Sequence, residues 1–208
     1  MKLSEIQQEV HRSLPDRTLE TVLRSVFVAY ESADEDLQGV FEAPERRTLI
    51  GYAQRAKLET QLRALPRGRK GAKAQLVSGD FAWTHTKLRM GRVVLTASKV
   101  RAPNALPPRA KFRRRYAVQQ NLFEKVDDPT TPELYALLLH GKATRGPFPG
   151  FVSIAVPDAD CNGYVYKVDL MARFPHVVGE FLEGATEADP AGAVRLRVVK
   201  KPKDDSEE

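Results

Sequence analysis

Three groups of residues in this sequence have the types and spacing to do chemistry. The first is a block of positive charge from Arg55 to Arg115, holding seventeen Lys or Arg against only Glu59 and Asp80. Its net charge is +15 in a chain whose total is +6, so everything outside it sums to −9. Clustered like charges repel one another and attract polyanions, and a nucleic-acid phosphate backbone is the commonest partner that relieves them. Phe81, Trp83, Phe112 and Tyr116 lie inside the block, near Lys87, Arg89, Lys111 and Arg113–Arg115. Rings beside cations suit single-stranded nucleic acid, because bases stack on the rings while the cations follow the phosphates. The candidate contacts to DNA or RNA are Arg67, Arg69, Lys70, Lys73, Lys87, Arg89, Arg92, Lys111, Arg113 and Arg115, with Trp83 and Tyr116 as rings. The alternative assignment puts the rings in the core and the arginines against acidic flanks. A protein-interaction subunit that docks an acidic partner would carry the same charge pattern.

The second group is a loop of oxygen donors. Asp158, Asp160, Asn162, Gly163 and Asp169 match positions one, three, five, six and twelve of the EF-hand calcium loop. Alternating oxygens wrap a hard cation while the glycine permits a sharp turn. However, Asp169 stands where a bidentate Glu is usual, and the flanks read as strands rather than helices. A hairpin loop whose Asp and Asn side chains bond their own backbone is the favoured expectation, with Asn162-Gly163 taking φ > 0 at the turn.

The third group is His140-Gly141, at the end of an apolar run. This pair resembles the strand-borne His-Gly of ADP-ribosyltransferases. The resemblance would make Tyr164, Tyr166 and Glu180 candidates for that family's later Tyr and Glu, although Lys142 replaces the usual hydroxyl residue.

Other chemistries lack their residues. The four histidines are not spaced as a metal-binding pair on one helix turn, and a single Cys161 makes neither a structural zinc site nor an internal disulfide. No phosphate-binding Gly-Lys-Ser/Thr loop and no Gly-x-Ser-x-Gly elbow occur. A metal-dependent nuclease core around Lys167 would need a carboxylate where Val165 stands. The expectation is a non-catalytic protein without a cofactor. No apolar run reaches the roughly 20 residues that span a bilayer, and the start of the chain lacks a signal-peptide core. With one cysteine, a reducing, cytoplasmic setting is expected.

The elements that must position these groups follow from periodicity. Ser4 and Gln7 have capping-box spacing for a short helix through Leu14, and Asp16 can cap the next. Leu19, Val22, Leu23, Val26, Phe27 and Tyr30 form one apolar helix face. An acidic loop (Glu31, Asp34, Glu35, Asp36) is expected after it. A third helix then runs from Pro44 to about Leu65, with Leu49, Tyr52 or Ala53, Ala56, Leu62 and Leu65 as its sparse apolar positions. Pro66 to Gly71 is a breaker, after which strands are predicted at 75–83, 87–95, 115–123, 134–140, 151–156, 164–170 and 194–199. Gly91 marks a bend or bulge inside the second, and 134–139 reads as a central strand or a short buried helix. Strand alternation through the arginine triplet that leads into the third would set Arg113 and Arg115 on one face and Arg114 on the other. Short helices are predicted near 170–174 and 177–182, around Pro175. The fold class is α+β: a helical region over 1–66, a mostly antiparallel β-rich domain over 72–200, and a disordered acidic tail over 201–208.

Overall fold

A computed structural model describes residues 3–67, 71–78, 84–119, 134–142 and 147–187. Three helices come first: α1 (Leu3–Ser13), α2 (Asp16–Gln38) and α3 (Ala43–Ala64). Strands β1 (Ala72–Ser78), β2 (Thr84–Met90) and β3 (Val93–Lys99) follow, then α4 (Lys111–Gln119). The chain continues through β4 (Leu134–Lys142), β5 (Pro149–Pro157), β6 (Tyr164–Asp169), α5 (Leu170–Arg173) and α6 (Pro175–Glu187). The six strands form one sheet in chain order, antiparallel at every junction except β3–β4, which is parallel. This is the α+β architecture that the pattern of elements implied.

The main core lies between α1–α3 and one face of the sheet. All six residues of the α2 face are fully buried there, against Leu88, Leu95, Leu138, Ile154 and others. Burying each such side chain contributes about 1.5–3 kcal/mol, so this face alone accounts for much of the docking of α2. Residues of the helical region and of the β-rich region share this single cluster. The opposite face of the sheet carries a smaller core of Val94, Tyr135, Leu137, Leu139, Phe151 and Ala155, covered by Ala117 of α4. At β3–β5 the sheet is therefore covered on both sides, which is why β4 is apolar at nearly every position.

Several expectations are corrected. The acidic run after Tyr30 is not a loop, because Ala33 and Leu37 extend the buried face of α2 to Gln38. Asp16 is not the N-cap of α2; Pro15 occupies that position, with no side-chain cap. On α3 the buried positions are Ile50, Gln54, Leu58, Glu59 and Leu62, whereas Tyr52 is exposed. Glu59 is buried because it accepts the backbone N–H of Thr86 at 2.5 Å, fastening α3 to β2. Gly91 is not a bulge within one strand. With φ +56 it turns β2 into β3, and a Cβ there would meet Ser13 Oγ at 2.7 Å. The expected strand at 115–123 is instead helical up to Gln119. The expected strand at 194–199 and the tail over 201–208 lie outside the described residues. Among the described residues no helix is long and apolar enough to cross a membrane.

Candidate nucleic-acid interface

The register of β1 on β2 decides which cations meet. Lys73 pairs directly with Arg89, and Gln75 with Lys87, on the sheet face away from α1–α3. Their neighbours Ala72, Ala74, Leu88 and Met90 pack toward the main core, so alternation sends Lys73, Lys87 and Arg89 outward. Like charges directly opposite on an antiparallel pair are destabilising. Lys73 and Arg89 are both exposed, and Lys87 is half-buried.

Helix α4 lies beside this patch on the same face. Phe112 stacks on His85 at 4.1 Å between ring centroids, and Tyr116 lies 5.1 Å from Lys87 Nζ. These contacts orient the rest of the helix. Phe112 and Tyr116 point to β2, Arg113 and Ala117 to β3–β4, and Arg115 projects outward on the β2 side. Arg114 projects on the other side, where it lines a cleft of about 380 Å³ with Arg109, Lys111, Arg113, Asp160 and Cys161. The alternation expected of Arg113, Arg114 and Arg115 is thus replaced by a helical rotation. Arg114 and Arg115 are exposed and Arg113 turns inward. Arg113 donates to the Pro108 carbonyl at 2.5 Å and to Ser98 Oγ at 3.2 Å, with its guanidinium 5.0 Å from the Phe112 ring. Burial and the nearby Arg55 cation both lower its pKa. The His85 pKa is also lowered, first by burial and then by the cations of Arg113 and Arg55.

The aromatic rings are mostly engaged with the protein itself. Phe112 is covered by His85, and Tyr116 packs 5.3 Å from Tyr135. Trp83, Arg69 and Lys70 lie outside the described residues. Arg67 is exposed just beyond α3, and Arg92 follows the β2–β3 turn with its guanidinium 3.8 Å from Glu9. Both stand on the helix side of the hairpin end, not on the face of Lys73 and Arg89. Arg12 and Arg17 come to the same place and lay outside the basic block of the sequence. Only the fold could reveal them.

The 158–169 segment is a hairpin. Asp158 Oδ1 accepts the Asn162 N–H at 2.8 Å and the Asp158 N–H donates to the Gly163 carbonyl at 3.0 Å, but the positive φ expected of Asn162-Gly163 falls instead on Cys161, at +56. Strand β6 then carries Asp169 away from the loop to cap α5, where its carboxylate accepts from Met171 and Ala172. Asp158, Asp160, Asn162 and Asp169 therefore do not converge, and no group of three metal-ligating side chains occurs among the described residues. Adding calcium should leave the melting temperature unchanged, whereas Asp169→Ala should cost about 1 kcal/mol through the lost cap. An upward shift with calcium that Asp158→Ala abolishes would contradict this geometry.

The His140-Gly141 group does not assemble either. His140 is buried on the helix side, with Nδ1 2.9 Å from the Tyr30 hydroxyl. Burial holds its pKa down at about 3, and the Lys99 cation acts in the same direction. Tyr164 lies on the opposite face and donates to the Ala105 carbonyl, while Glu180 pairs with Arg24. Gly141 is required by close approach, since a Cβ there would sit 2.4 Å from the Phe151 ring and 2.6 Å from the Val100 carbonyl. Compared with known protein families, curated proteins and solved structures, the chain finds no match.

Proposed function

We propose that this protein binds DNA or RNA without acting on it chemically, through the outer face of the β1–β2 hairpin and the exposed side of α4. The observation that carries the reading is Lys73 directly opposite Arg89, both exposed, with Lys87 two residues along the same face of β2. Arg89 Nε also donates to the Gly91 carbonyl at 3.3 Å, so it is the concentration of like charge on one face, rather than a lone cation, that a polyanion would relieve. The engagement of Phe112 and Tyr116 within the protein favours phosphate contacts over base stacking as the source of affinity. Cytoplasmic placement belongs to the same proposal and rests on the lone cysteine.

A salt titration tests this reading. Lys73→Ala with Arg89→Ala should reduce the slope of log affinity against log salt by about 1.4 to 1.8, as expected for two lost phosphate contacts. The double variant should stay folded, because losing the exposed Arg89 contact to the Gly91 carbonyl is offset by removal of a like-charge cross-strand pair, each an effect of about 1 kcal/mol or less. Full affinity and slope in a folded double variant would exclude this face.

The second reading is an interaction subunit. It is favoured by the exposed Val40 and Phe41 in the α2–α3 connection and by Tyr52 on α3. Negligible affinity for random DNA and RNA at low salt would favour it.

A further inference from the structure

A second basic surface lies at the end of the β1–β2 hairpin, on the other side of the sheet. A groove of about 970 Å³ runs between the α1–α2 corner and the β2–β3 turn, lined by Arg12, Arg17, Arg67 and Arg92, with Glu9 as the only carboxylate among the described residues that line it. Glu9 is already engaged, accepting from Ser13 Oγ at 2.7 Å and paired with Arg12 and Arg92. Arg17 and Arg67 are exposed, and neither guanidinium has a partner among the described residues. Among the described residues the groove therefore carries an excess of positive charge, with Arg17 and Arg67 unpaired.

Its position relative to the first patch gives it meaning. Ala72 and Met90 line the groove, while Lys73 and Arg89, one residue away on each strand, face the opposite side. The geometry points to one continuous track: a single-stranded nucleic acid crosses the outer face of the hairpin, rounds its end, and lays further phosphates in this groove. This inference rests on the nucleic-acid reading above and adds which form is bound. A duplex has a persistence length of about 50 nm and does not reverse direction across the thickness of one sheet. A single strand does so readily, and a basic groove that tracks its backbone is the usual means of holding it.

The test compares Arg17→Ala/Arg67→Ala with Lys73→Ala/Arg89→Ala, each checked by melting, on an oligodeoxythymidylate of about twenty nucleotides and a duplex of equal length. On the single strand, each pair of substitutions should lower the salt slope by about 1.4, and the quadruple variant by about twice that. On the duplex, only the Lys73/Arg89 pair should have an effect. If Arg17→Ala/Arg67→Ala leaves the single-strand slope at the parental value while the other pair lowers it, the groove is not part of the track. The nucleic-acid reading would then survive alone. Equal losses on duplex and single strand would overturn the single-strand assignment, and no binding by the parent to either would remove both proposals.

Discussion

Gly141→Ala lowers the stability of the protein by about 1–3 kcal/mol, the range for forcing extra volume into a packed core. The added methyl has no low-cost escape. The Phe151 ring edge could rotate, but the Val100 carbonyl is backbone, and the Val100 N–H is bonded to the His140 carbonyl at 2.9 Å. Relieving the clash therefore means moving the end of β4 away from the segment after β3. Denaturant unfolding of the variant measures the loss directly. A midpoint equal to that of the parent would show that β4 and the segment after β3 have room for the added methyl.

The second large effect is acid sensitivity from His140. In the unfolded chain a histidine titrates near 6.5, and in the fold this one does so at about 3. Between those values the unfolded chain binds more protons, so stability is fully present above about pH 6.5 and is lost as the pH falls toward 3. From pH 6.5 to 4.5 the loss amounts to about 2 kcal/mol. His85 is shifted in the same direction and adds to the trend. The pair variant Tyr30→Phe/His140→Leu isolates the effect, because removing both polar partners together avoids leaving one of them buried and unpaired. Its stability should vary less with pH over this window than that of the parent. An unchanged pH dependence would mean that His140 does not supply it.

Much of the fold was legible because it rests on local periodicity. The α2 face follows from side-chain spacing that one element sets alone, and the strand at 151–156 and the 158–163 turn from residue types and their turn-forming neighbours. By contrast, 134–139, apolar throughout, left strand and buried helix open until the sheet placed it as β4. The errors arose where tertiary packing overrode local character. Arg115 to Gln119 has the Tyr and Val of a strand, yet it is helical because Phe112, Tyr116 and Ala117 cover the second face of the sheet at helical spacing. The acids at 34–36 suggested a loop, although every fourth position or so still met the core. For the candidate interface, the sequence showed that charge was concentrated but not where it gathered. Placing Lys73 against Arg89 required the strand register, and bringing Arg17 beside Arg67 required the packing of helices on a hairpin.

The single parallel junction, β3 to β4, shapes how the chain can reach this fold. Strands β1–β3 and β4–β6 are two three-stranded meanders, each joined through connections short enough to close early. The seam between them pairs Val93 with Leu134 and Lys99 with His140, and it must also enclose the segment that carries α4. Loop-closure entropy grows with the logarithm of the enclosed length, so the largest such cost in the sheet falls on this one joint. Non-local contact within the sheet is thus concentrated at its middle, and a permutant that shortens the β3–β4 connection is expected to fold faster than the parent.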